Sequence, residues 1–510
     1  MPAARSRARS RRFPAREAVV EIPVAPGRGA AEAPLYTQLY RRLRDEVLSG
    51  SLKPGARLPS ARTLAADLRL SRNTVEAAIR QLTAEGFVVR RIGSGTTVAT
   101  SLGEAAPFPG PRRSSAGPRP PVGEARPIRP GSVRLSERGR QMTTLGQLEI
   151  ATEHPHGPCS TDVIGFPART WNRMLARRAR RSGSALFLPG HPRGHPALRA
   201  AIVEHARLTR GVRADPDQVV VVSSTQQAID LAARLLLDPG SIAVMEEPGY
   251  RSARSALQAA GAVVRGVRVD GDGLDVDRLA EERDARLVYV TPSHQFPLGV
   301  TLSLPRRLAL LQWAATTGAW IIEDDYDSEF RYQGRPIASL QGLDRADRVL
   351  YVGTCNKVLF PGLRLAYLIA PPPLVDPFAA ARRVTDGFSP TLIQAVLADF
   401  MTAGHFAAYL RLAKAHYAEC RDVLVERMAR TWGDRVRPGP SDTGLHLVGH
   451  LPNDRDDAAI AARALPNGVG MAALSGYYLG RPVGRGLLLS YGATTPAQIV
   501  RSVDALGPWL

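Results

Sequence analysis

Seven short apolar runs, at 219–222, 242–245, 263–269, 287–290, 320–322, 349–352 and 365–369, recur along the chain with helical patterns such as 226–237 and 304–317 between most of them. None alternates apolar with polar residues, so each reads as a strand covered on both faces, and strands separated by helices join mostly in parallel. The fold class is therefore α/β with a mostly parallel central sheet. In such a sheet, ligands bind beyond the carboxyl ends of the strands. The residues that fall there are Ser223, Ser224 and Thr225, then Tyr250, His294 and Gln295, Asp324 and Tyr326, and Thr354 and Lys357.

Lys357 carries the most information among them. It lies in Gly353-Thr354-Cys355-Asn356-Lys357-Val358-Leu359-Phe360-Pro361-Gly362-Leu363-Arg364, where one lysine and one arginine interrupt an apolar stretch. A long cationic side chain between core strands is costly unless its charge is paired or its amine is consumed chemically. A Schiff base with an aldehyde cofactor does the second. Upstream, Trp320-Ile321-Ile322-Glu323-Asp324-Asp325-Tyr326 reads as a buried strand ending in acids and a tyrosine. Those groups hold a pyridinium nitrogen and a phenolate oxygen, and with the lysine they describe a pyridoxal 5'-phosphate site.

The expected roles follow from that cofactor. Lys357 forms the Schiff base, Asp324 keeps the ring nitrogen protonated, and Tyr326 donates to the ring oxygen. Ser223, Ser224 and Thr225 open a helix whose free N–H groups suit a phosphate dianion, with Thr354 and Arg364 completing the cradle. Tyr250 stacks on the ring face. His294 and Asn356 join the cofactor-binding set by their places at strand ends, Asn356 as a hydrogen-bond donor beside the lysine. Asp325 and Asp327 are expected to be solvated or structural.

The first part of the chain has a different character. Residues 1–140 hold 26 Lys/Arg against 11 Asp/Glu, whereas the remaining 370 hold 41 against 36, so the net charge of +20 is concentrated at the start. Such asymmetry points to a polyanion as the partner of that segment. Leu35, Leu39, Leu43 and Val47 form one helical stripe. Ser60 can cap a second helix carrying Leu64 and Leu68, and Ser71 a third carrying Val75, Ile79 and Leu82, which Gly86 ends. The turn Arg69-Leu70-Ser71 has the length of a helix-turn-helix connection and puts Arg72, Asn73 and Thr74 at the end that meets base edges. The runs 87–91 and 96–98 flank Gly93 in a hairpin, a wing with Arg90 and Arg91 near a nucleic-acid backbone.

Residues 1–33 read as a disordered basic tail, 34–100 as the DNA-binding module and 101–132 as a linker with eight prolines between Pro107 and Pro130. Residues 133–510 form the effector domain, with a small α/β subdomain at the C-terminus. Three unpaired cysteines, Cys159, Cys355 and Cys420, suggest neither a disulfide framework nor a metal site and fit a reducing cytoplasm. No apolar run reaches membrane-spanning length.

The run Pro34 to Gly50, then Leu52-Lys53-Pro54-Gly55-Ala56-Arg57-Leu58-Pro59-Ser60-Ala61-Arg62, then Leu68 to Val75, resembles the winged helix of GntR-type regulators. That resemblance implies that Arg57, Ser60, Arg62, Arg72, Asn73, Thr74 and Gly93 contact double-stranded operator DNA or support the contact. The motifs 290–299 (with Ser293-His294-Gln295-Phe296-Pro297), 321–331 and Lys357-Val358-Leu359-Phe360-Pro361 look like the MocR-type branch of that group. The branch joins a winged helix to a domain resembling fold-type I aminotransferases. It implies a pyridoxal phosphate-responsive transcription regulator, a head-to-tail homodimer, and an amine or amino acid as effector.

Three departures accompany the resemblance. Asn356 stands where serine is common, and Pro189 and His191 stand where a tyrosine and an aspartate are often found. A leucine in Leu487-Leu488-Leu489-Ser490-Tyr491-Gly492 stands where aminotransferases place the arginine that grips a carboxylate, and Phe296 replaces the asparagine beside the ring oxygen. Arg481 and Arg485 are out of register with the missing arginine. An active aminotransferase tethered to DNA is the alternative reading, and the missing arginine argues against it.

Overall fold

The structure is a computed structural model that describes residues 34–91, 95–100, 135–146, 156–157, 161, 163, 165–181, 183, 186 and 188–510. The expected tail at 1–33, the linker at 101–132 and the wing turn with Gly93 lie outside the described residues. The chain divides into two compact units, Met1–Pro127 and Ile128–Leu510.

In the first unit, α1 (Leu35–Leu48), α2 (Ala61–Asp67) and α3 (Arg72–Ala84) precede an antiparallel pair, β1 (Val88–Arg91) and β2 (Gly95–Val98). The four-residue spacing in α1 buries Leu39, Leu43 and Val47 against Leu64, Val75, Ile79, Leu82 and Val98. Leu35 belongs to the same stripe by spacing but is 39% exposed, since it opens the helix outside that cluster. Ser60 and Ser71 cap α2 and α3, each hydroxyl oxygen accepting the backbone N–H three residues on at 3.1 Å. Gly86, at φ +79°, takes the left-handed turn that ends α3.

The second unit is built on an eight-stranded sheet. Its strands are β3 (Val219–Val222), β4 (Ile242–Glu247), β5 (Val263–Asp270), β6 (Gly273–Leu274), β7 (Ala285–Val290), β8 (Trp320–Asp325), β9 (Val349–Thr354) and β10 (Ala366–Ile369). They run in the order β3-β10-β9-β8-β7-β4-β5-β6. Strands β9, β8, β7, β4 and β5 are parallel, whereas β10 lies antiparallel between β3 and β9. The reason is the connection: 355–365 holds only a turn and a short 3-10 helix, with no crossover helix to bring the chain back in parallel. Lys357 therefore sits in a tight antiparallel return at the end of β9.

Both faces of the central strands are covered. Along β7, Leu287 and Tyr289 pack with the helices Thr225–Leu236 and Arg251–Ala259, while Val288 and Val290 pack with Leu304–Thr317 on the other side. Strand β5 departs from the expected continuous burial: Val267 and Val269 are buried while Arg265 and Arg268 are exposed. It lies next to the edge of the sheet, with the two-residue β6 beyond it.

A second sheet of four antiparallel strands, β11 (Arg437–Pro438), β12 (His446–Leu451), β13 (Ala472–Ala473) and β14 (Arg485–Ser490), runs in the order β11-β12-β14-β13. The helices His405–Thr431 and Pro496–Leu506 pack with it. Among the described residues, no helix is long and apolar enough to cross a membrane.

The cap of α3 gives a direct test of the first unit. Ser71→Ala should destabilise α3 by about 1 kcal/mol, seen as a roughly fivefold loss of hydrogen-exchange protection in peptides spanning 72–84, and Ser71→Asn should retain protection.

Candidate functional site

Strand β8 ends in three consecutive buried acids, Glu323, Asp324 and Asp325. Because neighbouring residues of a strand face opposite ways, Asp324 points away from its two neighbours. The Tyr289 hydroxyl donates to Asp324 Oδ2 at 2.6 Å, and Oδ1 is buried with no partner among the described residues. Burial pushes the carboxyl up to about 7; the Tyr289 hydrogen bond and the Lys357 charge pull it down, while Asp325 and Asp327 push it further up. An orphaned carboxylate oxygen at this depth is costly, and a protonated ring nitrogen supplies both the missing donor and the missing charge. The residues present fit pyridoxal phosphate on that ground.

Of the two expectations for Asp325 and Asp327, solvated or structural, the second holds: both are buried. Asp325 accepts from Arg210 Nε and the Tyr351 hydroxyl, both at 2.6 Å. Asp327 Oδ2 lies 2.9 Å from His294 Nδ1 and accepts the Leu445 N–H at 3.2 Å. The Tyr326 hydroxyl donates to the His294 carbonyl at 2.9 Å and lies 3.0 Å from Nδ1. A Cβ on Gly444, which sits at φ +84°, would come within 1.9 Å of the His294 ring, so this glycine is what lets the ring lie flat there. His294 thereby holds Tyr326 in place.

Lys357 is half-buried in the β9–β10 return and lies near enough to Asp324 and His446 for its charge to act on both. Asn356 ties this return down: its Nδ2 donates to the Ser223 carbonyl at 3.2 Å and its Oδ1 accepts the Leu365 N–H at 2.8 Å. The Thr354 hydroxyl oxygen accepts the Asn356 N–H at 3.1 Å. These contacts bring 354–357 against the start of the helix Thr225–Leu236. Ser224 caps that helix through the Gln227 N–H at 3.2 Å. The Ser223 hydroxyl is already spent on Gln227 Oε1 at 2.7 Å, an oxygen that also takes the fully buried Arg382 at 2.6 Å. Ser224 and Thr225 therefore remain the better placed of the three for a phosphate. Arg364 is exposed, at φ +53° just before Leu365.

Tyr250 caps the helix after β4, and its ring meets Phe296 edge-on at 5.5 Å. Phe296 also meets Tyr326 at 6.0 Å and Tyr477 at 5.4 Å. Leu488 of β14 is buried in the same cluster with Val448 and Leu474. Arg485 is engaged by Asp457 at 3.2 Å and Arg481 is exposed. His191 closes a local turn by accepting the Arg193 N–H at 3.1 Å. Sequence reasoning missed Tyr289, Arg210 and Arg382, whose partners are distant in the chain.

In the first unit, Arg62, Arg72 and Asn73 are exposed and Thr74 half-buried, with its hydroxyl 2.7 Å from that of Ser71. Arg57 lies beneath β2, its guanidinium 3.0 Å from the place of a Cβ on Gly95. Arg90, expected near a DNA backbone, pairs with Glu76 of α3 at 2.8 and 3.2 Å. Strand β1 runs beside α3, which supplies the acid that no local pattern reveals.

A family model for aminotransferase class I and II matches residues 167–506, and one for bacterial regulatory proteins of the gntR family matches 35–98. The protein named Probable rhizopine catabolism regulatory protein MocR, from Rhizobium meliloti, is 39% identical over 93% of this chain and 94% of its own. The HTH-type pyridoxine biosynthesis transcriptional regulator PdxR of Corynebacterium glutamicum is 30% identical over 90% of this chain and 92% of its own. A crystal structure of Pyrococcus horikoshii kynurenine aminotransferase superposes with a TM-score of 0.65 at 24% identity, covering 74% of this chain and 94% of that one, and shows the fold alone.

Burial pushes Glu246, Glu323 and Asp324 each up to about 7. A carboxyl whose pKa is raised in the folded state holds its proton there. The stability it lends is complete below the ordinary carboxylate range, about 4, and is lost as the pH rises through about 7. Cofactor-free protein should therefore melt at progressively lower temperature across that window. Asp324→Asn should flatten this slope without removing it, because Glu246 and Glu323 remain; an unchanged slope would show that Asp324 is not buried as described.

Proposed function

The chain belongs to the GntR-type regulators that carry an aminotransferase class I and II domain, the MocR kind, and from that premise we propose that pyridoxal phosphate bound at Lys357 controls how its winged helices engage operator DNA. The observation that carries the reading is the unpartnered Asp324 Oδ1, buried beside the half-buried Lys357. The cofactor, when bound, supplies an electrophilic carbon that amines attack.

The chain's own residues do the rest. Lys357 holds the cofactor, Asp324 keeps a proton at its ring nitrogen, and Tyr326, fixed by His294, faces its ring oxygen. Tyr250 covers the ring, and Ser224, Thr225, Thr354 and Arg364 receive the phosphate, while Asn356 anchors the lysine loop to β3. Arg72, Asn73 and Thr74 read base edges, with Arg57, Ser60 and Arg62 at the sugar-phosphate backbone. The protein acts in the cytoplasm as a head-to-tail homodimer on double-stranded DNA. Control requires that cofactor or effector bind the DNA-competent and incompetent arrangements with different affinity.

The second reading, an aminotransferase that turns over, is favoured by the Lys357, Asp324 and Tyr326 set. Leu488 opposes it: with leucine in place of the carboxylate-gripping arginine, an amino acid is poorly oriented for proton abstraction, and lost orientation costs several kcal/mol of barrier. Multiple turnover with common amino acids, at rates near the roughly 10 per second typical of enzymes, would decide for it.

Purified protein should absorb in the visible, and Lys357→Ala should lose the band while staying folded. Borohydride reduction followed by peptide mapping should label Lys357; a label elsewhere, or none, refutes the assignment. Separately, Arg72→Ala should cost roughly 1 to 3 kcal/mol of operator affinity and relax preference at one position, leaving the visible band unchanged.

A further inference from the structure

Resting on the cofactor reading above, we propose that the effector is a primary amine with an apolar body and no carboxylate. The wall beside Lys357 is where the effector's body must lie. His446, on which the Lys357 charge acts, lies 5.2 Å from Phe296 and 6.5 Å from Tyr326, ring to ring. Phe296 in turn gathers Tyr250 and Tyr477 edge-on, and Leu474, Val448 and Leu488 close the cluster behind them. Phe296, Tyr477 and Leu488 are buried, and only Tyr250 and Tyr326 are partly open.

A carboxylate placed against such a wall must lose its water and gain a cation. Two of the described cations nearby have partners of their own. Arg485 pairs with the buried Asp457 at 3.2 Å, and Arg254 donates to the Tyr478 carbonyl at 3.1 Å. Lys357 and Arg364 serve the cofactor in the reading above. Burial, with the adjoining His294, holds His446 well below the ordinary imidazole range, so it is neutral near pH 7. Arg251, whose buried Nε has no partner and whose guanidinium lies against Gly476, and Arg254, whose charge a neutral carbonyl does not cancel, are the described groups left that could answer a carboxylate.

A carboxylate-free amine needs no such answer. Its nitrogen forms the bond to the carbonyl-derived carbon that the Lys357 nitrogen gives up, and, with the carbon–nitrogen linkage protonated before and after, one proton passes from the incoming amine to Lys357, which leaves as a neutral amine. Nothing is oxidised or reduced. Its hydrocarbon body fills the Phe296, Tyr477 and Leu488 wall, where each buried methylene adds to affinity.

The test uses the cofactor-loaded full chain and two matched pairs, phenethylamine with phenylalanine and isopentylamine with leucine, whose members differ only by the carboxylate. Binding is read from the change in the visible band at one fixed pH, with concentrations counted as unprotonated amine. Half-saturation should fall at least tenfold lower for each amine than for its amino acid, and Leu488→Arg should narrow that gap. Equal or tighter binding of the amino acids, a gap unchanged in folded Leu488→Arg, or no response to either member overturns the proposal. Should amino acids bind tightly and lose that affinity in Arg251→Gln, Arg251 is a carboxylate site and the proposal falls. If Leu488→Arg fails to fold, the wild-type pairs still decide. Absence of any visible band would mark failure of the cofactor reading itself rather than of the effector class.

Discussion

A carboxylate taken out of water costs several kcal/mol unless something in the protein answers it, and the end of β8 buries three in succession. Glu323 is answered by the N–H groups of Leu340 at 2.8 Å and Gln341 at 2.9 Å, which open a helical turn. Asp325 is answered by Arg210, which also donates to the Ser293 hydroxyl and the Ile337 carbonyl. Those bonds fasten the loops after β7 and β8 to the helix Pro196–Arg210. Asp324, on the opposite face, is answered only halfway, by Tyr289. The scaffold and the candidate site are thus two sides of one strand: the pleat commits two acids to holding the sheet edge and leaves the one between them short of a donor.

What was legible in the sequence follows from range. A two-sided parallel sheet shows itself because its central strands run apolar without alternation, and Lys357 shows itself as a lone lysine in the apolar stretch that follows one of them. The caps at Ser60 and Ser71 are legible because they bond within three residues. By contrast, Arg210 and Asp325 are separated by 115 residues and Tyr289 and Asp324 by 35, so no local pattern could pair them. Arg90 shows the same limit in the first unit. A basic residue on a wing reads as phosphate-facing until α3 is seen to supply Glu76.

The return between β9 and β10 shows how connection length can determine chemistry. With no crossover helix in the connection, the chain must turn back antiparallel, and the turn presents Lys357 where a longer crossover would have carried it away from the strand ends. Asn356 then spends its whole amide on backbone groups of Ser223 and Leu365. A serine at that position would offer only one hydroxyl for the same task. The departure at Asn356 is accordingly a difference in how the loop is anchored.

The Arg90–Glu76 pair has a consequence for how the first unit meets a polyelectrolyte. Each lysine or arginine that neutralises a phosphate releases condensed counterions, and each such contact steepens the dependence of binding on ionic strength by about 0.9 in the logarithmic slope. A guanidinium already held by Glu76 at 2.8 Å brings no uncompensated charge to that exchange. To reach a phosphate it must abandon the glutamate, leaving an anion beside the duplex that attracts cations back. The formal positive charge of this unit therefore overstates its valence toward DNA, and the ionic-strength response should be carried by exposed residues such as Arg62 and Arg72.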